Sequence, residues 1–428
     1  MNDVTSSELL EASATAQRKS YRRRLLRIVA LFAVIQGIVA ALVVRRGKRA
    51  LAERDKLRPQ DYRWITFPEV DVPDTGESLQ LYMHGTQLLG DIVQAIDAAQ
   101  DRVYVETFIW IDDAVGRTLN DALERAIARN VSVHVMYDTL LSTKGIDRGF
   151  FPEGCVVLPF RPITADLSAL RPSNLLRDHR KLVVIDGNVG FIGGYNFGEE
   201  YIGWRDTHIR ITGETVIELE NAFIDFWNQH RELLAPRIPD ANIRSWDPGL
   251  LVHRNDPTLG IFPIRGMYLE AIDRAQRNIW ITNAYFVPDR SFREALCAAA
   301  RRGVDVRVLL PGRSNHVLAD ALSHGVFEDL LAAGVRIFLY REFMVHAKTC
   351  TIDGMWTTIG TANLDRWSML GNYEINTEIR SEELAEQMEE MFELDLQSCI
   401  EVPLDAWRRR PVHMRVAEQT LRSLAPLM

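Results

Sequence analysis

"HRKLVVID", His179–Asp186, is an apolar run with a histidine and a lysine at its front. "HAKTCTID", His346–Asp353, repeats the frame: His, one residue, Lys, four residues, Asp. Each run has the alternation and β-branched content of a buried strand. Side chains alternate faces along a strand, so His179 shares a face with Lys181, and His346 with Lys348. Asp186 and Asp353 fall on the opposite face, and each precedes a glycine and a further apolar run, the signature of a hairpin turn. Histidine and lysine are therefore aimed together at something polar, and the aspartates are expected to hold the turns.

The surrounding sequence is duplicated as well. "AIDAAQDRVYVETFIW" from Ala95 matches "AIDRAQRNIWITNAYF" from Ala271, and "LNDALERAIARNVSVHVMYD" from Leu119 matches "FREALCAAARRGVDVRVLLP" from Phe292. Each copy reads as helix, strand, helix, strand, the order of parallel βαβ units. The expected fold is α/β, with two related halves facing each other across a pseudo-twofold axis. One site then forms at their interface, with a wall from each copy.

The chemistry of that site follows from its residue types. After each turn come "GGYN" from Gly193 and "GTAN" from Gly360, with Asn196 and Asn363 each 17 residues past their histidine. Glycine permits close backbone approach to a ligand. Lys181, Lys348, Asn196 and Asn363, with Gly194 and Thr361 inside the same runs, make the expected phosphate cradle. Two histidines across a phosphodiester suit in-line displacement, one attacking phosphorus and one protonating the leaving oxygen. Each imidazole needs a partner to fix its tautomer. Asp206 in "WRDTHIR" and Glu374 in "NYEINTEI" are the candidates.

The 428 residues carry a net charge of −8. Residues 1–58 hold 13 Lys/Arg against 5 Asp/Glu, leaving the remainder at −16. An acidic body is a poor match for a nucleic-acid backbone, so no nucleic acid is expected as partner. Cys155, Cys297, Cys350 and Cys399 are scattered without a CxxC pair and read as free thiols. No metal-ligand motif is present, and no metal or cofactor is expected.

Residues 28–44, "IVALFAVIQGIVAALVV", contain no charge and are flanked by arginines. They read as a single membrane-spanning helix. The expected divisions are a basic leader (1–27), that helix (28–44), a juxtamembrane linker (45–78), a first half (79–250), a second half (251–404) and a basic tail (405–428). The tail suits either a solvated helix or one lying on anionic lipid.

The doubled His-x-Lys-x4-Asp motif resembles the phospholipase D superfamily. "HRKLVVIDGNVGFIGGYNFGEEY", "WRDTHIRITG", "NAYFVPD" and "GTANLD" resemble its bacterial cardiolipin synthase branch from about Gly76 onward. The resemblance implies a metal-independent phosphatidyltransferase of the bacterial inner membrane. Its substrates would be anionic phospholipids, phosphatidylglycerol and cardiolipin among them. It implies His179 as nucleophile and His346 as general acid/base, and it commonly counts Asp186 and Asp353 with the active site. A phospholipase D hydrolase and a nuclease are the alternatives on the same scaffold. "LDRWS", with Trp367 where the branch commonly has arginine, departs from the pattern.

Overall fold

The computed structural model describes residues 30–31, 33–45, 47–48, 63–72, 76–142, 146, 148–161, 176–233, 235–239 and 250–421. The expected leader (1–27), most of the linker and the end of the tail lie outside the described residues.

The helical residues 30–31, 33–45 and 47–48 (α1) come first. The first half then runs β1 (Val70–Val72), β2 (Glu77–His84), α2 (Gly85–Ala98), β3 (Arg102–Thr107), α3 (Ala114–Ala128), β4 (Ser132–Asp138), β5 (Val156–Phe160), β6 (Leu182–Ile185), β7 (Val189–Gly193), α4 (Glu199–Ile202), β8 (Arg205–Thr212) and α5 (Val216–His230). The second runs β9 (Leu250–Asn255), α6 (Pro263–Arg274), β10 (Asn278–Asn283), α7 (Arg290–Arg301), β11 (Asp305–Pro311), α8 (Val317–Ala332), β12 (Arg336–Tyr340), β13 (Lys348–Ile352), β14 (Trp356–Gly360), α9 (Arg366–Leu370), β15 (Glu374–Arg380), α10 (Glu382–Leu396) and β16 (Cys399–Glu401). Helices α11 (Leu404–Arg408) and α12 (Val412–Leu421) follow.

The strands form two eight-stranded sheets, β1-β2-β8-β7-β6-β3-β4-β5 and β9-β15-β14-β13-β10-β11-β12-β16. Strands β2-β8-β7-β6-β3-β4-β5 of the first correspond in order to β9-β15-β14-β13-β10-β11-β12 of the second. The expected βαβ units are present: β3 pairs parallel with β4 across α3, and β10 with β11 across α7. Crossover helices pack on the outer faces, where Leu119, Leu123 and Val105 meet in one half and Phe292, Leu296 and Val306 in the other. The inner faces, with α5 and α10, bury one shared core. Leu81, Leu182, Val184 and Phe223 there meet Ile359, Tyr373, Ile375 and Met388.

The expected membrane-spanning helix is corrected. Among the described residues no helix is long and apolar enough to cross a membrane. Helix α1 packs on the second half instead. Val39, Ala40 and Val43 lie against Val287, Leu318, Ala321, Leu322 and Leu421, and the Gln36 amide donates to the Thr420 carbonyl at 2.9 Å.

Candidate active site

The two hairpins that open the argument are built alike. Asp186 and Gly187 have φ of 52° and 70°, and Asp353 and Gly354 have 56° and 64°. Two successive positive φ values are what a tight type I′ hairpin turn requires. The Asp186 carboxylate accepts from the backbone N–H groups of Gln100, Asp101 and Arg102 at 2.8–2.9 Å. Asp353 does the same for Gln276, Arg277 and Asn278 at 2.7–3.2 Å. Each aspartate thus ties its hairpin to the loop opening the neighbouring central strand, and both stand apart from the histidines.

The strands proper begin at Leu182 and Lys348, so each histidine lies in an extended lead-in. Those lead-ins cross between halves. Asp178 bridges Tyr373 in parallel, and Arg205 bridges Val345. The His179 N–H donates to the Tyr373 carbonyl at 3.0 Å, and the His346 N–H to the Arg205 carbonyl at 2.7 Å. Tyr373 and Arg205 directly precede Glu374 and Asp206. The crossing therefore sets each histidine beside the carboxylate of the other half. His179 Nδ1 lies 3.0 Å from Glu374 Oε2, and His346 Nδ1 lies 2.6 Å from Asp206 Oδ2. All four side chains are buried.

The lysines are buried too, and each ammonium donates to its own histidine's carbonyl, Lys181 at 2.7 Å. Lys348 Nζ also lies 3.0 Å from His346 Nδ1. The Asn196 oxygen accepts the Ile109 N–H at 3.2 Å, whereas the Asn363 oxygen is buried without a partner. Phe108 stands edge-on to His179 and Trp204 tilts over His346, at 4.9 and 5.1 Å between ring centroids.

Two residues expected in the phosphate cradle contact the carboxylates. The Gly194 N–H donates to the Thr207 carbonyl at 2.9 Å. A Cβ on Gly194 would stand 2.1 Å from Asp206 Oδ1, so this glycine makes room for the carboxylate. The Thr361 hydroxyl donates to Glu374 Oε2 at 2.5 Å, and Thr361 Oγ1 accepts the Ile375 N–H at 3.0 Å. Gly194 and Thr361 thus seat the two carboxylates.

Burial dominates the electrostatics. It drives His179 well below the ordinary imidazole range, helped by Lys181 and Lys348, and takes His346 down to about 3. Both rings are neutral near pH 7, the state in which an imidazole nitrogen is nucleophilic. Burial also lowers Lys181 to about 7 and Lys348 to about 8. The carboxylates diverge. Burial would raise Asp206, but His346 and Lys348 outweigh it and hold it at about 2. Burial raises Glu374 to about 8 against the pull of Lys181.

Sequence reasoning missed Asn283, in "NAYF". It is fully buried beside Lys348 on the paired strand; its oxygen takes the Leu364 N–H at 3.2 Å and its NH2 has no partner. It was legible only as an amide in an otherwise apolar strand end. Cys350 is a buried thiol pushed further up by burial. Among the described residues no three His, Cys, Asp or Glu side chains converge as metal ligands.

A family profile described as "Cardiolipin synthase, PLD-like domain" matches residues 92–227 and 268–396, one segment in each half. The chain is 31% identical over 379 residues to a cardiolipin synthase of Clostridium perfringens, covering 82% of this chain and 77% of that one. It is 31% identical over 376 residues to cardiolipin synthase 1 of Bacillus anthracis, covering 82% and 72%. Among solved structures, the phosphatidylserine synthase of Haemophilus influenzae Rd KW20 superposes with a TM-score of 0.62 at 14% identity, over 89% of this chain and 97% of that one.

Proposed function

Since this chain belongs to the cardiolipin synthase family of the phospholipase D superfamily and is a phosphatidyltransferase of that type, we propose that it works through a phosphatidyl-histidine intermediate with phosphatidylglycerol as acceptor. The family implies phospholipid substrates. The observation that carries the mechanism is the pair of crossed histidine–carboxylate contacts, each beside a buried lysine.

In the first step the neutral His179 attacks a phospholipid's phosphorus through Nε2, while Nδ1–H faces Glu374. The P–O bond to the departing alcohol breaks, and a proton from His346 Nε2 goes to that oxygen. Lys181 and Lys348 offset charge on the non-bridging oxygens. An anionic phosphodiester brought between them also makes His346 easier to protonate, which counters its depression in the empty site. In the second step His346 takes the proton of an acceptor hydroxyl, which displaces His179 from phosphorus. Asp206 and Glu374 fix the rings. Asn196 and Asn363 serve as phosphate binders in this reading, and Asn283, paired with Lys348, has an NH2 without a partner to offer.

The test is expression in membranes that lack cardiolipin, with lipids read by mass spectrometry. Cardiolipin is expected with the parent chain and not with His179→Ala or His346→Ala. Phosphatidic acid in its place would mean that water is the acceptor. Undiminished product from either alanine variant would sink the two-histidine mechanism.

A further inference from the structure

In the two-step reaction His346 meets both alcohols, the departing one and then the acceptor, so the side chains beside it bear on which alcohol is used. Tyr285 is one of them. Its half-buried ring stands edge-on to His346 at 5.9 Å between centroids, and edge-on to His316 at 5.0 Å. With Tyr201 it packs against Trp204, Ala284 and Met344, a cluster drawn from both halves. The Tyr285 hydroxyl donates to Asn315 Oδ1 at 2.6 Å. That bond leaves the Tyr285 oxygen able to accept and the Asn315 NH2 able to donate. Asn315 is exposed, on a loop that is pinned at both sides of it. The Ser314 N–H donates to Asp320 Oδ2 at 2.9 Å, and the His316 N–H to Ser314 Oγ at 3.0 Å.

The first half builds the same place differently. The repeat aligns Tyr285 with Ile109 and Asn315 with Ser142. Ile109 is buried and brings no polar group. The Ser142 hydroxyl is buried and taken up within its own half, accepting the Trp110 N–H at 3.0 Å and donating to the Phe108 carbonyl at 3.3 Å. Phe108 is the ring that stands edge-on to His179. Next to Ser142 the loop exposes Leu140 and Leu141, at the positions of Arg313 and Ser314 in the other copy. The loops thus put an apolar rim beside His179 and a hydroxyl–amide pair beside His346. An alcohol with several hydroxyls is desolvated at lower cost beside the second.

We propose that Tyr285 and Asn315 are specificity-determining residues that recognise the acceptor as a polyol, by holding the hydroxyl next to the one that reacts. The inference rests on the two-step histidine reading and deepens it on the acceptor's side. In the transfer step the acceptor oxygen bonds to phosphorus. The P–Nε2 bond to His179 breaks with its electron pair returning to that nitrogen, and the hydroxyl proton passes to His346 Nε2. A glycerol headgroup carries a vicinal diol, so when one oxygen reaches His346 its neighbour meets the wall that Tyr285 forms. The Asn315 amide donates to that neighbour, and the Tyr285 oxygen accepts from it. Water and simple alcohols cannot use the pair. A site built to bond a substrate hydroxyl discriminates against analogues lacking it far better than an apolar pocket does.

The test uses the full chain in detergent micelles with a short-chain phosphatidyl-p-nitrophenol, whose leaving group has no diol. The burst of nitrophenolate reads the first step. Mass spectrometry of the lipid products reads the second, with glycerol and 1-propanol offered together in excess. The parent chain should favour glycerol. Tyr285→Phe removes one hydroxyl and Asn315→Ala one exposed amide, so both variants should fold. Each should cut the preference for glycerol over propanol about tenfold and raise the share of phosphatidic acid, with the burst rate within about twofold of the parent. Parental preference in either variant would overturn the assignment, as would a parent without preference. A burst that falls as far as the transfer would overturn it too, since Tyr285 would then merely hold His346. Nitrophenolate release that survives His179→Ala, or a parent yielding phosphatidic acid alone, would instead overturn the two-step transfer reading, and this inference with it.

Discussion

Gly194→Ala tests what that glycine does. The added Cβ would lie 2.1 Å from Asp206 Oδ1 and 2.6 Å from its Cγ, where ordinary contact starts near 3.4 Å. The backbone of Gly194 is outside the left-handed region, so the methyl brings no conformational strain, only the clash. Its N–H, bound to Thr207, is unchanged. Relief requires Asp206 to retreat by roughly 1 Å, and it sits 2.6 Å from His346 Nδ1. A misplacement of that size in catalytic machinery costs on the order of a hundredfold, or about 2.7 kcal/mol of transition-state stabilisation. The expected result is kcat down about a hundredfold with KM nearly unchanged, and a melting temperature lowered by the ~1–3 kcal/mol of overpacking. Added to Asp206→Ala, the same methyl should cost little more, because its target is gone. Activity within about threefold of the parent would refute the seating role, and so would fully additive losses in the double variant. A rise in KM alone would return Gly194 to the phosphate cradle.

Thr361→Val should release Glu374 from its 2.5 Å hydroxyl contact, lowering stability by ~1–3 kcal/mol and slowing adduct formation at His179, as read by denaturation and rapid quench. Burial holds Lys181 at about 7 and Lys348 at about 8, so between those values and the ordinary lysine range the unfolded chain binds more protons. These lysines therefore make stability rise with pH across that window. Phosphodiester affinity moves the other way, so KM should climb above about pH 8, a climb that Lys348→Met should blunt. Arg205 Nη2 meets Asp395 at 2.8 Å between halves, with both side chains buried; Arg205→Met should cost ~3–5 kcal/mol in denaturant titration and disturb the neighbouring Asp206.

The doubled fold was legible because both copies keep the same apolar periodicities and "DG" turns. The aspartate hairpins were legible from strand parity together with the glycine that follows each aspartate. The crossing of the partners was not. Asp206 and Glu374 lie 27 and 28 residues past the histidine of their own half, and nothing in that spacing says each will serve the other's. The exchange depends on lead-ins that bridge Tyr373 and Arg205, contacts 195 and 140 residues apart at the side-chain level. The contacts of Gly194 and Thr361 with the carboxylates were hidden for a related reason. A small residue near a phosphate site signals close approach, but the sequence does not say of what, and here the approaching group is a carboxylate. The 28–44 run misled through composition, since an apolar stretch serves equally to pack against Val287 and Leu322.

The crossed pairs also explain why two copies share one chain. A half with its own histidine but without the opposite carboxylate would have an unoriented ring, so neither copy holds a complete catalytic unit. A phosphodiester presents two non-bridging oxygens and two in-line directions, which a pair of equivalent walls matches well. The proposed reaction is less symmetric than its substrate, since one ring must attack while the other protonates. Duplication alone supplies no such difference. It has to come from positions where the copies differ, such as Asp206 against Glu374, held at about 2 and about 8. The positions where the two copies disagree are therefore where the order of the steps is to be sought.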